Sequence, residues 1–298
     1  MDYITVQDAA KKWQISDRMV RRYCSEGKVF RARQQEGIWL IPANAHKPTS
    51  ISKTDGLTPL AKKIIYQQTR NNHNGVYEYI QVNMAYSSNR MASNRLTRGQ
   101  VEQLYRTGRI SAGFEPTKVE DLIESRNHFM CVDQVIDNIT NPLTQAFVKR
   151  LHGTLMSGMM SDHQRPGDYR APNVRIKNRA FIPADEIKRN LAALIDEYED
   201  MPTVDRSVIL DFHVRFEQIM PFADGNGRVG RLIMLKECLR HDVMPFILDD
   251  KRRSRYLKGI REWGYNPDEL IDVVLEAQNR FEGYLELQRL MSHGRKEV

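Results

Sequence analysis

The chain predicts a mainly α protein: an all-helical core carrying one short β-hairpin flap, preceded by a small unit of two helices and a hairpin. Three observations lead there. Eight segments (76–87, 97–108, 117–139, 142–157, 183–199, 204–219, 227–241 and 268–291) carry apolar residues at three- to four-residue spacing, the signature of helices that bury one face. One stretch among them, residues 170–182, alternates and is broken by turn residues, as a hairpin requires. Before residue 50 the pattern changes to two short helical runs followed by alternation. The composition, 41% hydrophobic and 28% charged with mean hydropathy −0.57, is that of a soluble globular protein.

Taken in order, Val6, Ala9, Ala10 and Trp13 form the stripe of a first helix that Gln14 and Ile15 interrupt. Ser16 is suited to cap a second helix running through Arg18, Arg21, Arg22 and Tyr23 to Gly27. Residues 29–33 and 38–41 alternate on either side of a turn at 34–37, which predicts a hairpin wing. Residues 1–48 therefore read as a winged helix-turn-helix unit. Residues 42–59 are rich in Pro, Ser, Thr, Asn and Lys without periodic apolar spacing, so a linker over 49–60 is expected, and the helical domain occupies 61–298.

Charge and cysteine usage narrow the partners. The net charge is +7, and residues 1–50 hold nine Lys/Arg against five Asp/Glu, which places a polyanion site in the first unit. Cys24, Cys131 and Cys238 lie far apart without metal-site spacing and read as reduced thiols. The first residues lack the unbroken apolar region of an export signal and no segment is apolar enough to span a bilayer, so no membrane partner and a cytoplasmic location are expected.

The chemistry concentrates in Met220-Pro-Phe-Ala-Asp-Gly-Asn-Gly-Arg-Val-Gly-Arg231, between two apolar helical runs. A glycine-rich loop entering a helix exposes unpaired N–H groups beside the positive end of the helix dipole, which suits a phosphate. Arg228 and Arg231, three apart, project from one face with guanidinium forks that match phosphate oxygens. Asp224 adds a carboxylate that fits a divalent cation bridged to those phosphates, and magnesium with a nucleotide is the simplest combination. Taken alone, Asp-Gly-Asn-Gly reads first as an ordinary turn. Tyr256 and Trp263 are aromatic candidates for an adenine contact or for core packing, and His213, seven residues before Met220 within a helix, reads as structural.

This segment resembles the motif H-x-F-x-[D/E]-G-N-G-R-x-x-R of the Fic-domain family, matching seven of its eight specified positions. The resemblance spans roughly residues 60–290, with 211–219 similar to the family's lead-in helix and Gly167-Asp-Tyr-Arg170 similar to an upstream element. It implies a protein adenylyltransferase that moves AMP from ATP to a Ser, Thr or Tyr hydroxyl, with ATP and Mg²⁺ bound. It further implies that Asp224 holds magnesium, Gly225, Asn226 and Gly227 form the anion hole, Arg228 and Arg231 hold phosphates, and Phe222 anchors the loop. The flap, about 172–182, would dock a protein substrate. The family's general base is the motif histidine, and this chain has Met220 there, which cannot accept a proton. Residues 86–97 resemble the family's inhibitory segment, [S/T]-x-x-x-E-[G/N] ahead of N-x-L-T, but after Ser88 the expected glutamate is Ala92.

Two functions from different classes follow. One is a Fic-type transferase scaffold impaired at Met220 and lacking its inhibitory glutamate; the other is a nucleotide-responsive transcriptional regulator without transfer. DNA is the natural partner of the first unit, read by Arg18, Arg21 and Arg22 on the second helix and Arg31 and Arg33 on the wing, although small winged units also bind proteins. Transfer of UMP or another phosphorylated group stays open, as does a homodimer.

Overall fold

In a computed structural model the described residues are 2–26, 28–48, 56–70, 73–110, 118–159, 165–171 and 183–293. The first unit is built on capped helices. Thr5 and Asp8 form a reciprocal capping box at α1 (Val6–Trp13), and Gln14 ends it in the left-handed region at φ 54°. The Ser16 hydroxyl accepts from the Met19 N–H to start α2 (Asp17–Ser25). Three antiparallel strands, β1 (Tyr3–Ile4), β2 (Arg33–Gln35) and β3 (Ile38–Pro42), lie in the order β1-β3-β2. Val6, Ala9, Trp13, Val20, Cys24 and Ile41 close a separate small core beneath them.

The hairpin differs from expectation at its first strand. Residues 29–32 form a turn, with Arg31 at φ 59°, and pairing begins at Arg33 and runs to Gln35 opposite Ile38. The loop is therefore only Glu36-Gly37, both at positive φ (49° and 81°), the two-residue geometry whose twist matches antiparallel strands. β1, two residues long, is too short to leave an alternation signal.

The larger part is helical: α3 (Pro59–Thr69), α4 (Val76–Arg90), α5 (Arg98–Thr107), α6 (Val119–Asp137), α7 (Gln145–Leu155), α8 (Ile187–Glu199), α9 (Arg206–Ile219), α10 (Asn226–Arg240), α11 (Arg253–Glu262) and α12 (Asp268–His293). α3 starts inside the segment read as linker because Thr58 caps it and Pro59 takes the first-turn position, where its missing N–H costs nothing. α11 also left no clear periodic signal: only Tyr256, Gly259 and Ile260 of its residues are buried. The expected flap, 172–182, lies outside the described residues.

α10 is the axis of the fold. Thirteen of its fifteen residues are buried, so it lacks a polar face and packs against α4, α6, α7 and α9. Even Lys236 is enclosed, donating to the Asn141 carbonyl at 2.7 Å and pairing with Glu237 at 2.6 Å. One core joins α3, α4, α6, α7, α8, α9 and α10, and a second joins α9, α10, α11 and α12, so the motif loop enters a helix held from all sides.

Candidate active site

α9 ends at Met220, which sits in the left-handed region (φ 46°) and turns the chain into the loop 221–225. Gly225, at φ 77°, precedes α10, and no side chain caps that helix. Its first-turn N–H groups are therefore available to an outside acceptor, and the dipole's positive end lies with them.

The loop is locked from behind. The Phe222 N–H donates to Asn226 Oδ1 at 2.9 Å, and Asn226 Nδ2 donates back to the Phe222 carbonyl at 2.8 Å. Phe222 is fully buried and stacks on His152, ring centroids 3.7 Å apart at 3°. His152 Nδ1 accepts from the Gly167 N–H at 2.9 Å, so Nε2 carries the proton and donates to the Asp224 carbonyl at 3.2 Å. Burial pushes this imidazole down to about 4, which keeps it neutral in that role. Arg170, itself buried, donates from its backbone N–H to Pro221 at 2.9 Å and from Nε to the Met220 carbonyl at 2.8 Å.

Both motif arginines are held by protein groups. Arg228 is 3% exposed; Nη1 pairs with Glu124 and Nη2 with Asp224 at 3.0 Å. Arg231 donates from Nε to the Ser88 hydroxyl at 2.9 Å and from Nη2 to the Ser88 carbonyl at 3.1 Å. The cleft in front of the loop is about 220 Å³, and Ala92, Glu217, Met220, Gly227, Arg253 and Tyr256 are among its walls.

Comparison with known proteins bears on this same segment. Residues 142–238 match the family described as Fic/DOC. This part of the chain is a Fic/DOC domain. A probable protein adenylyltransferase of Aquifex aeolicus (strain VF5) is 28% identical over 120 residues, covering 39% of this chain and 35% of that protein, so the match spans about a third of the relative's length. Among solved structures, a Fic domain containing signalling protein from Bacteroides thetaiotaomicron aligns at TM-score 0.60 and 20% identity, covering 76% of this chain and 94% of that one. Fic-1 from C. elegans aligns at 0.59 and 15%, covering 76% and 70%. These structural likenesses establish the fold.

Within the Fic domain, the structure places the residues singled out in sequence as follows. The Asn226 side chain is engaged at both ends by Phe222, which leaves its backbone N–H, in the first turn of α10, for the expected anion hole. Arg228 was expected to hold phosphate, yet Glu124 and Asp224 occupy both its Nη groups. Tyr256, 2% exposed, hydrogen-bonds His213 at 2.5 Å and packs in the second core, which makes it a wall rather than an open adenine platform. Gly230 makes that pairing fit, since a Cβ there would lie 2.6 Å from His213 Nδ1. Trp263 donates to Asp211 at 3.0 Å and does not line the cleft. Ser88 and Ala92 do reach the motif, through Arg231 and the cleft wall.

In the first unit, Arg18 and Arg21 are exposed on α2, and Arg22 pairs with Glu26 at 2.6 Å. Arg33 lies over the Tyr3 ring at 4.3 Å. Arg31 is not a wing residue: its position in the 29–32 turn directs it to Asp196 on α8 and to Asp200 at that helix's C-terminal cap, at 3.3 and 2.7 Å. Glu124 and His152 carried no signal in sequence, while Asn94, Glu217 and Arg170 lie in segments that carried the resemblance (86–97, 211–219 and 167–170) without showing their contacts.

Proposed function

We propose that this chain is a Fic-type nucleotidyltransferase scaffold that binds Mg–ATP at the cleft and, with a histidine at position 220, transfers AMP to a protein hydroxyl. The observation that carries this reading is the uncapped N-terminus of α10 behind Gly225, set beside Asp224. The glycines fit a phosphate. A Cβ at Gly227 would lie 2.9 Å from Arg231 Nη1 and 3.1 Å from Glu217 Oε1, so a larger residue would fill the space where an anion meets the arginine.

The donor set also fits magnesium, which takes one or two carboxylates and completes its shell with substrate phosphates and water. Asp224, with its side chain 74% exposed, is that carboxylate; no group of three or more His, Cys, Asp or Glu forms a closed metal cage among the described residues. When bound, magnesium would neutralise phosphate charge. The chain's own contribution is positional: α10 N–H groups and Arg231 bind phosphate oxygens, and the His152–Phe222–Asn226 lock keeps the loop from collapsing. Transfer forms a bond from the attacking hydroxyl oxygen to the α-phosphorus, breaks the bond to pyrophosphate, and requires a base for the hydroxyl proton. The thioether of Met220 cannot take it, so this chain binds nucleotide and transfers AMP slowly or not at all.

The test compares the chain with Met220→His in Mg²⁺ and labelled ATP, reading label on the protein and on a lysate. Restoring a general base raises transfer by about 10²–10⁴-fold. Failure of Met220→His to label anything, with Mg–ATP bound, would remove the transferase reading.

A second reading, a nucleotide-responsive DNA-binding regulator, is favoured by the exposed Arg18 and Arg21 on a capped helix beside a short hairpin. It predicts duplex binding whose affinity falls steeply with salt and drops in Arg18→Ala/Arg21→Ala; salt-insensitive or absent binding rejects it.

A further inference from the structure

We infer that Glu124 is a positioning residue for Asp224, acting through Arg228, and that Asn94 orients Glu124 for this task. The inference rests on the reading of Asp224 as the magnesium carboxylate and deepens it. Four groups form one chain across three parts of the fold. Asn94 Nδ2, just beyond α4, donates to Glu124 Oε2 at 2.6 Å and to the Asp121 carbonyl at 3.0 Å. Glu124 Oε1 accepts from Arg228 Nη1, and Arg228 Nη2 donates to Asp224 Oδ2 at 3.0 Å. Asn94 Oδ1 is itself fixed, accepting from the Leu96 N–H at 3.0 Å.

Burial sets the direction of the effect. Glu124 and Arg228 are both enclosed, while Asp224 stands at the surface of the loop. The outermost carboxylate is thus tied to a rigid interior by one guanidinium, which takes Oδ2 and leaves Oδ1 for a ligand. A guanidinium beside a lone carboxylate would cancel its charge and weaken its hold on a cation. Here Glu124 supplies the counter-charge, so the triad of two carboxylates and one guanidinium carries one net negative charge toward the cleft. Arg228 then serves the metal side of the site, and phosphate recognition falls to the α10 N–H groups and Arg231.

The experiment titrates ATP into the full chain by calorimetry over a series of Mg²⁺ concentrations and again without Mg²⁺. Glu124→Gln removes the counter-charge, and the Mg²⁺ concentration supporting half-maximal tight binding rises about tenfold, the usual penalty for losing a group that orients a metal ligand. ATP binding without Mg²⁺ is not weakened, and Glu124→Asp recovers part of the loss. Asn94→Ala keeps every charge and gives a smaller shift of the same sign, so it decides the matter if Glu124→Gln does not fold. An unchanged Mg²⁺ dependence in these variants, while Asp224→Asn shifts it, overturns the role of Glu124. Weaker ATP binding without Mg²⁺ in Glu124→Gln also overturns it, because Glu124 would then shape the nucleotide cleft itself rather than the metal side. If Asp224→Asn leaves the Mg²⁺ dependence unchanged as well, the metal assignment of Asp224 itself falls.

Discussion

At the residue scale the site depends on what small side chains leave open. Gly227 lies in the first turn of α10, where an added Cβ meets only the ends of the Arg231 and Glu217 side chains. Those ends can move, so the fold should tolerate Gly227→Ala and gain up to about 1 kcal/mol of helix propensity. The displaced guanidinium would no longer meet a phosphate oxygen, and losing one charge-assisted hydrogen bond lowers affinity roughly tenfold or more. The expected result is weaker ATP binding with an unchanged or raised Tm. Undiminished binding would mean that Arg231 does not hold the nucleotide. Phe222 and Asn226 sit on the opposite side of the loop and act by locking it, as their stacking and reciprocal hydrogen bonds require.

At the scale of elements, the first unit is joined to the Fic domain by a few contacts. Arg31 reaches Asp196 on α8 and Asp200 just beyond it, Arg150 on α7 donates to the Ser25 carbonyl at 3.3 Å, and Phe30 packs on the main core. Ion pairs this exposed contribute under about 1 kcal/mol each. Arg31→Ala should therefore leave the Tm of the helical core unchanged while speeding tryptic release of the N-terminal unit. Unaltered release would show that Phe30 and Arg150 suffice. The same contacts engage Arg31 with carboxylates, whereas Arg18 and Arg21 on α2 stay exposed.

For the whole molecule, three helices of the main domain each bury a neutral imidazole. Burial holds His128 on α6 and His213 on α9 down to about 3, with the positive Arg231 adding to it, and burial holds His152 on α7 down to about 4. An unfolded histidine titrates near about 6.5. Below that value the unfolded chain takes up protons that the fold refuses, so stability present above pH 6.5 is lost as pH falls toward the folded values. Each histidine removes up to about 1.4 kcal/mol per pH unit in this window. Urea midpoints should fall between pH 7.5 and 5, above the range where carboxylates protonate, and a pH-independent midpoint would contradict the neutral assignment. Neither ring nitrogen of His128 has a hydrogen-bond partner among the described residues, so His128→Leu should flatten the slope by one proton without loss at pH 7.5.

What the sequence determined is what local periodicity and local spacing carry. The stripes of α4 to α9 and of α12, the cap Ser16, and the glycine-rich entry to α10 all express interactions within a few residues, so they were legible in order. The motif located the site for the same reason, being contiguous. The contacts of that motif were not legible: Glu124 and His152 come from separate stretches without a signal, and Asn94 and Arg170, though within recognised segments, meet the motif only after packing. Tertiary structure alone decided that the Asn226 side chain locks the loop, that Arg228 faces two carboxylates, and that Arg31 faces α8. A side chain's residue type sets what it can bond, but burial and the neighbours brought by packing choose which of those bonds form.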